Sequence, residues 1–394
     1  MKCYFRSFDA SIGDCNIIRL VKDDGRQYVI MVDCGMYTKK LKEYLQTTLH
    51  NRIDLLIATH IDGDHIQGIT SMLKNHEGLS VGEIWYNCYR RKKNVEQIEL
   101  SDQQKAILEQ IQKAMPVEFD AINYREVNAS QGKTLAKTIL DNPELKAVWK
   151  IECDSEDFVI PGGFGKIVFL APRQESLEAI DSQFKDEFNK YFMQVWKEGI
   201  ENSEELQELL IRFVDAYKDK YVSKQISAKK EIVYDASFVK KQANEEDTDS
   251  SDTNYSSIAF MIECGEHKIA MLGDSFASTI EKAIDNKYVD FAKPIECDAI
   301  KVSHHGSNGN SSKSLFERIN SHKYFIPGGK GEKYPSWGTL GRIAETCKDE
   351  EDKLIVFSHS CAITQKMNEL GDEDKRKLGI KTIITEEEYE LFEW

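Results

Sequence analysis

Along its first 60 residues the chain alternates short apolar runs with turn signals. CYFRSF, CNIIRL, YVIMVDCG and the run from Ile53 to Ala58 read as strands, with Gly13, Gly25 and Gly35 at the bends. Beyond them the period changes. Residues 95–115 and 129–141 carry helical spacing, and KIVFLAP at 166–172 returns to strand. From Leu177 apolar residues recur at Ile180, Phe184, Phe188, Tyr191 or Phe192, and Val195, the spacing of one buried helix face; Leu206, Leu209, Leu210, Phe213 and Tyr217 repeat it. NEEDTDSSDT at 244–253 follows, acidic and free of apolar residues, which predicts a mobile loop. Strands resume at SIAFMIECG, KIAMLGDS, DAIKVSHHGS, HKYFIPGG and KLIVFSHS, so two strand-rich halves flank a helical insertion, with no internal repeat of fixed period.

Composition narrows the function classes. A chain of 394 residues with 41% apolar residues can bury a large core, as one elaborated α/β domain or as two. Its net charge of −15 disfavours passive adsorption to DNA or to an anionic membrane and leaves only a local basic groove as a path for nucleic acid. The nine cysteines form no C-x-x-C pair, the opening MKCYFRSFDASIGD has no apolar signal core, and no run reaches the ~18 apolar residues of a membrane helix. A soluble, reduced, cytoplasmic protein is expected.

The candidate chemistry lies at the ends of predicted strands. IDLLIATHIDGDHIQGI packs His60, Asp62, Asp64 and His65 into six positions directly after an apolar run. Imidazole and carboxylate together suit Zn²⁺, Mn²⁺ or Fe²⁺, one ion taking His60 with Asp62 and a second Asp64 with His65. LGDS at 272–275 puts Asp274 at another strand terminus, where it could bridge two ions; taken alone, a strand followed by Gly-Asp is a common turn. KVSHHGSNGNSS at 301–312 supplies His304 and His305. If strand geometry persists, the two rings point to opposite sides, so one binds metal and the other serves a substrate oxygen or donates a proton. The following Gly, Ser and Asn suit an anion-binding loop, or simply a solvated one. QGKT at 131–134 lacks the leading glycine of a phosphate loop, since position 127 is Val127. YRRKKN at 89–94, after Trp85 and Tyr86, could line a nucleic-acid path by phosphate contact and stacking, although a solvated loop explains it more simply. His359 could approach the site from the last of these strands or be structural.

Taken in order, these pieces resemble the metallo-β-lactamase superfamily, and within it the hydrolase domain of ComEC-type competence proteins. THIDGDH is similar to that branch's variant of the H-x-H-x-D-H motif, with aspartate as its second member. FDASIGDCNII at 8–18, VDCG at 32–35, NYSSIAFMIECGEHKIAMLGD, KVSHHGS and YPSWGTLGRI at 334–343 resemble its other landmarks. The likeness covers roughly residues 1–172 and 254–365. Two departures stand out. No histidine lies between His76 and His267 to act as the superfamily's middle ligand, and Tyr334 precedes Pro335 where the branch has histidine.

The resemblance implies an α/β fold, an αβ/βα four-layer sandwich with its metal site at the shared edge of two sheets. Residues 1–172 form one half, 173–253 a helical insertion with an acidic loop, and 254–394 the other half. It implies two divalent ions, Zn²⁺ or Mn²⁺, with Asp274 bridging them, His60 and Asp62 on one, and Asp64, His65 and one of His304 or His305 on the other. Asp64, His304 and His305 are the candidate catalytic residues. The implied reaction is hydrolysis of a phosphodiester, in nucleic acid or a small molecule, by water activated on the metal. A lactone or thioester hydrolase, or a partner-activated subunit of a bacterial defence or DNA-processing complex, is the alternative; the 173–253 insertion would then serve a homodimer or protein partner.

Overall fold

The computed structural model describes residues 1–11, 13–87, 134–139, 141–142, 144–149, 151–179, 233–245, 247–288, 294–329, 333–346 and 352–393. One sheet holds β1 (Lys2–Ser7), β2 (Asn16–Val21), β3 (Gln27–Val32), β4 (Arg52–Ala58), β5 (Ser80–Tyr86) and β6 (Lys146–Val148), and the last strand, β17 (Glu388–Glu393), covers the β1 edge. The second holds β7 (Phe158–Val159), β8 (Lys166–Ala171), β9 (Ala259–Cys264), β10 (His267–Met271), β12 (Ala299–Lys301), β14 (Lys323–Ile326), β15 (Lys353–Phe357) and β16 (Ile380–Ile384), in the order β16-β15-β14-β12-β10-β9-β8-β7. Short strands β11 (Ile295–Cys297) and β13 (Ile319–Ser321) pair with each other.

The apolar runs are nearly continuous because the central strands are buried on both faces. Ile30, Val32, Leu55 and Ile57 of the first sheet meet Phe260, Ile262, Ile269 and Met271 of the second in the core between the sheets. Phe5 and Phe325 join the two sheets with ring centroids 4.2 Å apart. The alternate residues Val29, Met31, Ile53 and Leu56 pack under helices α1 (Lys39–Thr47) and α2 (Gly63–Asn75). On the far side of the second sheet, Leu170, Met261, Leu272, Ile300 and Phe357 pack under the helices Ala236–Gln242, Ala277–Lys287, Lys313–Arg318, Trp337–Thr346 and Ala362–Asn368. Helix, sheet, sheet, helix is the αβ/βα sandwich expected. Among the described residues no helix is long and apolar enough to cross a membrane.

The strands foreseen from apolar runs are present at β1 to β4, β8, β9, β10, β12, β14 and β15. Strand β5, SVGEIWY, escaped the apolar-run reading because its first half is polar. Trp85 and Tyr86 at its end are each 1% exposed, so they are core side chains and cannot stack on nucleic acid. The helical spacings at 95–115, 180–195 and 206–217 and the basic run at 89–94 fall outside the described residues. Of the insertion, the helix Ala236–Gln242 lies in the outer layer, where Phe238 and Tyr234 pack on Trp337. The acidic segment after it, expected to be mobile, is instead tied down. Arg342 donates to the carbonyls of Ala243, at 3.0 Å, and of Glu245, and Asn308 Nδ2 donates to Glu245 O at 3.0 Å. Polar composition marked the segment as solvent-facing; it could not show that buried donors elsewhere would claim its carbonyls.

Candidate metal centre

The first half of the site grows from the end of β4. Thr59 follows Ala58, and its backbone N–H and hydroxyl both donate to the buried Asp33 carboxylate, each at 2.8 Å. The Thr59 hydroxyl in turn lies 3.0 Å from His60 Nδ1, which makes it the acceptor for that ring and leaves Nε2 facing Asp274. Asp62 is the residue before α2, and Asp64 and His65 sit in the first turn of that helix, where the positive end of the helix dipole favours carboxylates. His65 Nδ1 donates to Asp33 at 2.8 Å, so Asp33 orients both histidines of the segment. The turn can lie this deep because Gly13 and Gly35 face the Asp64 carbonyl; a Cβ on either would stand 1.8 or 2.1 Å from that oxygen.

The second half comes from the other sheet. Gly273, after β10, takes a left-handed φ of +51°, and a Cβ there would lie 2.5 Å from Ser257 Oγ. The turn brings the Asp274 N–H to Ser257 Oγ at 3.0 Å and the carboxylate into the pocket. After β12 the chain does not continue as a strand: Ser303–Gly306 form a tight turn in which both histidines are left-handed, His304 at φ 47° and His305 at φ 51°. The expectation that adjacent rings would point to opposite sides is therefore overturned. Both Nε2 atoms face Asp274 Oδ2, His304 at 3.7 Å and His305 at 3.9 Å.

Asp274 is the meeting point. Its Oδ2 is 3.4 Å from His65 Nε2, and His60, His65 and Asp274 form a group compact enough to hold a cation. His60 Nε2 lies 3.8 Å from Asp62, and His305 Nε2 lies 3.4 Å from Asp64. All seven residues singled out in the sequence thus stand around one pocket. The His60 and His65 rings are neighbours, with centroids 4.2 Å apart. The donor set fits a metal on its own evidence: the Nε2 atoms of His60, His65 and His305 and Asp62 Oδ1 are buried without a hydrogen-bond partner, although orphaned polar atoms are costly.

Electrostatics follow from burial and like charge. Burial, helped by His65, pulls the His60 imidazole down to about 3, and burial with the neighbouring Asp64 pushes the Asp62 carboxyl up to about 6. His65 and His305 go the other way. Burial alone would lower both, but Asp274 and Asp33 outweigh it at His65, and Asp14 and Asp274 raise His305 to about 9. Asp274 is held well below the carboxylate range: its desolvation is overcome by His65, His304 and His305.

Several contributors were not identified as site residues from the sequence. Asp14 lies 3.0 Å from His305 Nδ1 and pairs with Lys301, whose ammonium also donates to Gly273 O at 2.9 Å and stands 3.7 Å from Asp274. Asp14 and Asp33 were visible only as landmarks, in FDASIGD and VDCG; Lys301 looked like one more strand residue of a surface type. Tyr334 packs its ring 4.9 Å from that of His304. His359 donates to Asp9 at 2.8 Å, apart from the pocket contacts described here.

No protein-family model and no curated protein matches the chain. Among solved structures it is similar to the metallo-beta-lactamase fold protein YhfI from Bacillus subtilis, at 9% identity over 99% of this chain and 100% of that one, with a TM-score of 0.37. It is also similar to a diphosphatase from the PhnP family, at 10% identity over 100% and 98% of the two chains and a TM-score of 0.38. Zn²⁺-bound PqqB from Methylobacterium extorquens is a third, at 10% identity over 98% and 99% and a TM-score of 0.37. Likenesses this distant transfer no activity. The functional reading rests on the atoms of the pocket.

Proposed function

We propose that the chain is a metal-dependent hydrolase of phosphodiester bonds, of the metallo-β-lactamase type and close to its ComEC-like branch, working with two divalent cations. The observation that carries the reading is the inward aim of the buried, unpartnered Nε2 atoms of His60, His65 and His305 onto one carboxylate, Asp274. Asp64, His65 and His305 would hold one cation, and His60, Asp62 and His304 the other, with Asp274 shared. His304 would take the place of the superfamily's missing middle histidine. Bound there, the cations would supply a water deprotonated near neutral pH and positive charge for the non-bridging phosphoryl oxygens.

The chain's own residues set the terms of that chemistry. Thr59 and Asp33 fix His60 and His65 with Nδ1 as donor, leaving Nε2 as the ligand atom; Pro327 O, which accepts from His305 Nδ1 at 3.1 Å, does the same for that ring. Three carboxylates, Asp62, Asp64 and Asp274, make the set harder than an all-imidazole one and favour Mn²⁺ over Zn²⁺. The expected result is that purified protein with Mn²⁺ cleaves bis(p-nitrophenyl) phosphate or single-stranded nucleic acid, and that Asp64→Ala abolishes this with an unchanged circular-dichroism spectrum. Turnover of chromogenic esters or lactones alone would reject the phosphodiester assignment, and full activity without metal would reject the cations.

A further inference from the structure

The acidic segment 244–253 lies against the metal centre, and its side chains have work there that the proposed function has not used. Its entry is held by Arg342 and Asn308 through the carbonyls of Ala243 and Glu245, as described above. Its middle comes so close to the loop after His305 that a Cβ on Gly309 would stand 2.7 Å from Asp249 N. At that point Asp249 turns inward. Its Oδ1 accepts from Ser251 N at 2.9 Å, and its Oδ2 accepts from Asn254 Nδ2 at 2.6 Å and from Asn310 Nδ2 at 2.9 Å.

The same Oδ2 lies 3.4 Å from His304 Nδ1, and Asn310 Oδ1 accepts from that nitrogen at 2.9 Å. Asn310 also donates to the Asp274 carbonyl at 3.0 Å, so one amide ties Asp249, His304 and Asp274 into a single frame. Asn254 Nδ2 also lies 3.3 Å from that nitrogen, but the shorter contact to Asn310 Oδ1 and the adjacent Asp249 carboxylate favour the proton on Nδ1. With Nδ1 protonated towards Asn310 and Asp249, the lone pair of His304 sits on Nε2 and faces Asp274 Oδ2.

We propose that Asp249 is a positioning residue of the metal centre: through Asn310 and directly, its carboxylate fixes the tautomer and orientation of His304, so that the acidic segment is a working part of the site. Carboxylate behind a ligating histidine is a general device for raising ligand basicity and fixing ring direction. The inference rests on the reading that His304 faces a cation. It goes beyond that reading in assigning a function to the segment that the chain inserts between its two halves.

The test uses the full chain, with Mn²⁺ as the titrant and the ¹⁵N shifts of the His304 ring, assigned with His304→Gln, as a second readout in metal-free protein. Asp249→Ala is expected to weaken Mn²⁺ binding by roughly 10- to 100-fold, and to shift the ring away from the Nδ1-protonated form. A destabilised fold alone would not move the tautomer. If Asp249→Ala does not fold, Asp249→Asn keeps the size and removes the charge, and a weaker affinity with a shifted tautomer population is again expected. Wild-type affinity together with an unchanged ring in the folded variant overturns the inference and leaves the metal reading standing. A wild-type protein that takes up neither Mn²⁺ nor Zn²⁺ overturns both, which is a different result.

Discussion

The two halves of the pocket are built in opposite ways. On the first sheet, four ligand-type residues come from one stretch of six, delivered by a strand end and the first turn of α2, with ordinary backbone and a helix dipole favouring the acids. On the second sheet, Asp274, His304 and His305 come from two separate turns, each requiring left-handed backbone, and His304 is further held by a segment that arrives from the insertion. The first half draws its ligand-type residues from one local stretch, oriented by Asp33, and the second draws them from separate turns. Non-glycine residues in left-handed conformation cost about 1 to 3 kcal/mol each; in the second half that cost falls on the ligand-type residues His304 and His305 themselves, in the first on Asp33, at φ 60°, behind the histidines it orients. Strain of this kind collects where a fold must place side chains at positions regular structure cannot reach.

That contrast can be broken at its shared member. Asp274→Ala removes the one carboxylate that both halves face, and the expected loss in phosphodiester turnover is on the order of 10³-fold or more, equivalent to ~4 kcal/mol of charge stabilisation. A loss of only a few-fold, measured with Mn²⁺ in excess, would mean that the halves act independently. The need for left-handed backbone can be probed at Gly273. Gly273→Ala must hold a left-handed residue against Ser257 Oγ, and a loss of about 1 to 3 kcal/mol in stability is expected from denaturant unfolding. If that variant unfolds at the wild-type midpoint, the turn does not need glycine at that position.

The smallest effect, and the one that separates the halves most finely, is on pH. Below about 9 His305 holds a proton in the metal-free protein, and below about 6 so does Asp62. A cation must displace those protons, so affinity should strengthen as pH rises through 6, continue to strengthen towards 9, and then level off, by at most about tenfold per pH unit for each proton released. Calorimetry in buffers of different ionisation enthalpy at pH 7.5 should find at least one proton released. Affinity independent of pH between 6 and 9 would show that no proton on His305 has to be displaced.

The same contrast explains what could be read in the chain. The four-layer fold was legible because its central strands are buried on both faces and print as apolar runs. The cluster at 60–65 was legible because it is contiguous. For the second half, residue identities could be read but geometry could not: alternation along a strand gave the wrong answer for His304 and His305, since the chain turns left-handed where the strand was assumed to continue. Asp249 was hidden for a different reason. Its segment is acidic and polar, which describes a solvated loop, and nothing local reveals that Asn254, Asn310 and Arg342 wait for it across 5 to almost 100 residues of sequence. Trp85 and Tyr86 show the converse, since adjacency to a basic run suggested a stacking surface while burial made them core.

Lys301 carries a last consequence. Its ammonium, buried between Asp14 and Asp274, is a permanent internal counter-ion, and its own protonation is favoured there despite burial because those two carboxylates outweigh desolvation. A cluster of acids that brings its own counter-ion need not fall apart when its divalent guests are taken away. Treatment with a chelator is therefore expected to yield a folded, refillable protein, unlike small zinc domains that unravel when stripped. Such a protein can exchange ions without refolding, so its working metal would be set by supply in its surroundings as well as by the pocket's own preference.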